Sequence, residues 1–110
     1  MKEKRRYERF NIVLFAMCKI GDVLKKIKIN NFSRSGVGII SEDFLDKGEN
    51  IEFELLIPGD NIPVLLEGEI AWMDSIKTKN KQYKGGIKLK KVNNSNSSRI
   101  FEYIYKEIKK

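Results

Sequence analysis

The chain has 110 residues, the usual size of one domain and enough to enclose a single hydrophobic core. At 41% hydrophobic and 34% charged residues it reads as a soluble globule, neither disordered nor membrane-spanning. Having no histidine and one cysteine, it lacks the usual metal sites, Cys/His nucleophilic pairs and any internal disulfide. Its net charge of +7 favours anionic partners but does not choose among nucleotides, nucleic acid, acidic protein and lipid surfaces.

The basic start KEKRR followed by IVLFAMC imitates a signal peptide. The apolar run is at the short limit for a signal core and far below the ~20 residues of a membrane span, so a cytoplasmic protein with no span is expected. From Phe10 to Ile20 every even position is apolar, the period of a strand with one face on a core. Val13, Phe15 and Met17 suggest that the other face is partly covered. Cys18 falls in this strand and is expected to be a small buried hydrophobe. Gly21-Asp22 reads as a turn into a second strand near Val23 to Asn30, completing a hairpin.

Asn31 to Gly36 is a small, polar connection to a third strand over Val37 to Ser41. The fourth strand, Ile51 to Ile57, alternates cleanly and ends at Pro58-Gly59-Asp60. Strand five, Val64 to Met73, carries Leu66, Ile70 and Trp72 in one parity, which predicts Trp72 in the core. A lysine-rich loop over 74–82 leads to strand six, Tyr83 to Leu89, where Gly85-Gly86 suggests a bulge or a packing glycine. Ile100, Phe101, Ile104, Tyr105 and Ile108 then recur at helical spacing after an Asn/Ser run suited to capping. Six short strands and one amphipathic helix predict a mainly β chain, a small antiparallel barrel or sandwich with the helix packed on it. The expected organisation is a single domain over 1–110, with an N-terminal arm over 1–9, β-structure over 10–92 and a helix over 95–109.

Two motifs carry the functional reading. Arg5 and Arg9 form R-x-x-x-R within KRRYERF, and Asn31, Ser33 and Gly36 form N-x-S-x-x-G within NFSRSG. Together and in this order they resemble the signature of the PilZ domain family, whose six-stranded antiparallel β-barrel with a C-terminal α-helix matches the predicted elements in count and order. The resemblance implies a receptor for the bacterial second messenger cyclic di-GMP. It also implies that the flexible arm folds over the ligand and that Asn31 and Ser33 hydrogen-bond a guanine and nearby polar atoms. Gly36 would let backbone approach the ligand or adopt positive φ.

The residue types suit that ligand. Cyclic di-GMP is a dianion with two guanines, and arginine makes bidentate bonds to phosphate, reaches guanine O6 and N7, and stacks on the ring. Arg6 is expected to add a further phosphate contact. Asn31 offers an acceptor to the guanine N1–H and N2–H, more weakly than the aspartate that is its alternative at this motif position.

No catalytic constellation is present. Ser33 is not in G-x-S-x-G, and Gly36-Val-Gly38 lacks the lysine and spacing of a phosphate-binding loop. Glu42, Asp43 and Asp46 are not spaced as a calcium loop. No metal or cofactor is expected, and the output is expected to pass through contact with an effector protein. Two alternatives stand beside this reading. One is a basic barrel binding single-stranded nucleic acid through lysines of the 77–91 region, a partner less expected than the nucleotide. The other is a PilZ-like interaction module that binds no nucleotide.

Overall fold

The computed structural model describes residues 9–20, 22–76, 81–90 and 94–108. Arg5, Arg6 and the rest of the arm before Arg9 lie outside the described residues, as do Gly21, residues 77–80 of the lysine-rich loop, residues 91–93 and the last two lysines.

Six strands and one helix follow one another as β1 Phe10–Ile20, β2 Val23–Phe32, β3 Gly36–Ser41, β4 Asn50–Leu56, β5 Val64–Ile76, β6 Gln82–Leu89 and α1 Asn94–Ile108. The strands close into an antiparallel barrel in the order β1-β2-β3-β6-β5-β4, which settles the choice between barrel and sandwich. Chain neighbours other than β3 and β4 pair as hairpins, and the pairs β3·β6 and β4·β1 close the ring. Closure leaves no open sheet edge.

The alternation seen in the sequence is what fills the barrel. Leu14, Ala16 and Cys18 of β1, Ile27 and Ile29 of β2, Phe53 and Leu55 of β4, and Val64, Leu66 and Ile70 of β5 all point inward and are buried. The turn after β4 tightens through Asp60 N donating to Ile57 O at 3.0 Å, with Gly59 at φ 86.

Helix α1 lies across one end of this barrel. Ile100, Phe101 and Ile104 join the core, while Arg99 donates to Asp60 Oδ2 at 2.7 Å and to the Ile62 carbonyl, and Asn96 Nδ2 donates to Leu65 O at 3.2 Å. Phe101 also meets Phe10 and Phe32 edge-on, with ring centroids 6.1 and 5.6 Å apart. The start of β1, the end of β2 and the β4–β5 loop therefore converge on one helix. Among the described residues no helix is long and apolar enough to cross a membrane.

Candidate functional site

One rung of the barrel organises the site. Asn31 of β2 pairs with Gly38 of β3, Gly38 pairs with Gly86 of β6, and Gly86 pairs with Trp72 of β5. The register slips between Ile29 and Asn31 on one side of this rung and between Ile70 and Trp72 on the other, so each outer strand carries one extra residue there. Such bulges re-aim the side chains that follow them.

Trp72 is the clearest consequence. Its parity with Leu66 and Ile70 predicts a core position, but the extra residue, Ala71, reverses the alternation and leaves Trp72 47% exposed on the outer face. The two glycines between Asn31 and Trp72 make the floor bare backbone. A β-carbon on Gly38 would stand 2.3 Å from Asn31 Nδ2, and one on Gly86 would stand 2.4 Å from Trp72 Nε1. Only glycine lets the amide and the indole lie down over the sheet from opposite sides. Gly86 is thus a packing glycine, while the bulge belongs to β5.

Above this floor is an open groove of about 460 Å³, lined among others by Arg9, Asn31, Gly36, Gly38, Trp72, Gly86 and Lys88. Its ionisable lining groups, Arg9 and Lys88, are both cations. Arg9 Nη1 donates to Asn31 Oδ1, and Asn31 Nδ2 donates to Asn30 Oδ1 at 3.0 Å, which fixes the amide with its oxygen toward the guanidinium. Gly36 is opposite Lys88 in the β3·β6 ladder. Its backbone is not left-handed, since positive φ among the described residues is confined to Gly48 and Gly59. It is glycine because a β-carbon would come within 2.7 Å of the Ile87 carbonyl oxygen.

Ser33 sits beneath the groove, not in its lining. It is buried, and its hydroxyl oxygen accepts from Gly36 N at 3.2 Å and Ser35 N at 3.3 Å, while Gly36 O lies 3.2 Å away to receive its proton. Ser33 N adds a bond to Gly36 O at 2.9 Å, and Leu89 N ties the turn to β6 through Ser35 O at 2.9 Å. Of the sequence-predicted residues, Arg9, Asn31 and Gly36 therefore come together on one groove. Ser33 holds the turn that carries two of them, and Arg5 and Arg6 lie outside the described residues. Sequence reasoning missed Trp72, Lys88 and the role of Gly38; the one available signal was the recurrence of glycine on both paired strands.

The root of the arm also touches the helix. Phe10, next to Arg9, packs edge-on against Tyr105 at 5.9 Å, and the Arg34 guanidinium stands 4.9 Å from the Phe101 ring centroid.

The sequence profile of the PilZ domain matches residues 3–106, nearly the whole chain. The chain belongs to the PilZ domain family. PilZ domains are non-catalytic cyclic di-GMP receptors. Solved structures share the fold. The PilZ domain of YcgR from Escherichia coli, with c-di-GMP, superposes with a TM-score of 0.76 at 17% identity, over 94% of this chain and 91% of that one. The Bacillus subtilis inhibitor of motility MotI/DgrA gives 0.74 at 16% identity, over 99% of this chain and 54% of that one. Borreliella burgdorferi PlzA in complex with c-di-GMP gives 0.60 at 10% identity, over 94% and 51%. This PilZ domain thus spans about half the length of the Bacillus and Borreliella proteins. No curated protein matches it.

Proposed function

We propose that this PilZ domain binds cyclic di-GMP in the groove and signals through an effector protein once the ligand has ordered its N-terminal arm. The observation that carries the reading is the Arg9–Asn31 pair facing Trp72 across the bare Gly38–Gly86 floor. Each part answers one demand of the ligand. Arg9 and Lys88 match the phosphates, and the indole offers a plane on which a guanine stacks. Asn31 keeps an acceptor lone pair for a guanine edge. Arg5 and Arg6 would arrive from the arm, and Ser33 acts by holding the turn in shape.

The route from ligand to partner runs through the aromatic cluster at the barrel end. Drawing the arm down over the groove moves Phe10, which bears on Phe101 and Tyr105 of α1. A ligand shifts such an equilibrium only by its differential affinity for the two arrangements, and here the arm's arginines supply that difference. The reading implies a cytoplasmic protein, where the messenger is made.

Calorimetric titration with cyclic di-GMP tests this, with GTP as control and Arg9→Ala in parallel. Selective binding, weakened at least tenfold in the variant by loss of a charged hydrogen bond worth about 1.5–3 kcal/mol, supports the site. A folded protein that gives no heat would make it an interaction module that binds no nucleotide.

A further inference from the structure

The strand order puts β1 opposite β6 in the ring, so the outer wall centred on β1 faces away from the groove. That wall is apolar between Asn11 and Lys19 of β1, which are both exposed. Val13 and Phe15 of β1 are 52% and 41% exposed, and Leu56 of β4, paired with Phe15, is 39% exposed. On the β2 side the wall is basic, with Lys28 opposite Phe15 and Lys26 opposite Met17. On the β4 side it is acidic, with Glu54 opposite Met17 and, further out, Glu52 directly opposite Glu67 of β5.

This acidic flank is unusual in a chain of net charge +7. Like charges directly opposite across two strands are destabilising, and the Glu52–Glu67 pair is relieved by Lys90, 3.4 Å from Glu67, and by Lys19 of β1, which lines the same hollow as both glutamates. The ion pairs among the described residues, Lys25–Asp43, Lys90–Glu67 and Arg99–Asp60, include neither Lys26, Lys28 nor Glu54. Lys26 instead lies over the Phe15 ring, 4.6 Å from its centroid.

The two flanks decide what fits. An anionic membrane or nucleic acid would be repelled by the glutamates, and a uniformly basic partner by the lysines. A complementary surface must carry an apolar centre with acid on one side and base on the other, at matching heights. The wall itself has that pattern on its Met17 rung. A two-fold axis lying in the interface parallel to β1 would set Phe15 and Met17 near their own counterparts. Lys26 and Glu54 share the Met17 rung, so the same axis would lay Lys26 of each copy over Glu54 of the other.

From this we infer that the protein self-associates through the β1 wall as a two-fold, isologous dimer. Both grooves face outward in this arrangement, so association needs no nucleotide and does not depend on the binding proposed above. Two convex barrels meet over a limited area, which makes the dimer weak and concentration-dependent.

The test is sedimentation velocity of the full chain without nucleotide, over a concentration series, for the wild type, Lys26→Glu, Glu54→Lys, the double variant and an equimolar mixture of the two single variants. The expected result is a reversible monomer–dimer equilibrium that each single reversal weakens at least tenfold, by setting like charges together twice per dimer. The double variant recovers wild-type association. The mixture also associates more tightly than either single variant, because both contacts then join unlike charges. A wild type that stays monomeric throughout overturns the inference and returns the wall to an unlike partner. Association indifferent to both reversals, or a mixture no tighter than its components, overturns it as well. Both positions are exposed on strands, and circular dichroism confirms that the variants fold.

Discussion

The indole of Trp72 lies over Gly86 so closely that a β-carbon on that glycine would stand 2.4 Å from Nε1 and 3.0 Å from Cδ1. The ring therefore rests on backbone at the edge of the groove, its position set by the bulge at Ala71 and by a glycine on the neighbouring strand.

A guanine stacked on that ring makes Trp72 both a contact and a reporter. Base–aromatic stacking is worth about 1–3 kcal/mol, so Trp72→Ala is expected to weaken cyclic di-GMP binding by roughly five- to a hundredfold, and Trp72→Phe by much less. Because Trp72 is the only tryptophan in the chain, its fluorescence follows binding directly. Unchanged affinity in the alanine variant would remove the indole from the site.

The glycine floor makes a second, separable prediction. Gly38→Ala and Gly86→Ala place a methyl where the Asn31 amide and the Trp72 indole now lie, and both obstructing groups are ends of side chains that can swing away. Such overpacking costs typically ~1–3 kcal/mol, and here the side chains absorb much of it, so melting temperatures fall modestly while affinity falls further. Gly36→Ala presses instead on the Ile87 carbonyl, which belongs to β6 backbone, and is expected to lose more stability. Thermal melts beside titrations separate the two kinds of glycine.

Ser33→Ala probes the turn. The substitution leaves the buried Gly36 amide and the more exposed Ser35 amide without their acceptor, at a cost of about 1–3 kcal/mol for the buried one. Binding should weaken through misplacement of Gly36 and Asn31, and the loss should be partly recovered by Ser33→Thr. Denaturant titration gives the stability term. Full stability with abolished binding would instead make the hydroxyl a ligand contact.

The barrel was legible because its strands are amphipathic with period two. Leu14, Ala16 and Cys18 announced β1, and Ile51, Phe53 and Leu55 announced β4, with no knowledge of their partners. The site was legible only in part. Asn31, Ser33 and Gly36 were visible as a motif, but which of them faces the groove depends on pairing between β2, β3 and β6. The parity of Trp72 points to the wrong face for the same reason: the extra residue at Ala71 is defined by its register against Gly86 and Ile87, which lie well down the chain. Gly85-Gly86 stands out in the sequence, yet its purpose is set by the ring that lies on Gly86.

Cys18 extends the argument to pH. Burial inside β1 pushes its thiol up to about 11, with the Glu49 carboxylate adding in the same direction, so the folded protein keeps a neutral thiol where the unfolded chain has ionised. A group whose pKa is raised on folding contributes stability that is complete below its unfolded value, near 9, and is lost as pH climbs through the folded value near 11. Two units correspond to about 3 kcal/mol at most. Urea titrations from pH 8 to 11 should show the wild type falling with a slope that Cys18→Ala lacks, although the variant starts about 1 kcal/mol lower for its lost burial. The same burial predicts that iodoacetamide alkylates Cys18 only as fast as the barrel opens, so labelling should accelerate steeply with urea. Rapid labelling of the native protein, or parallel pH profiles for the two proteins, would place the thiol outside the core.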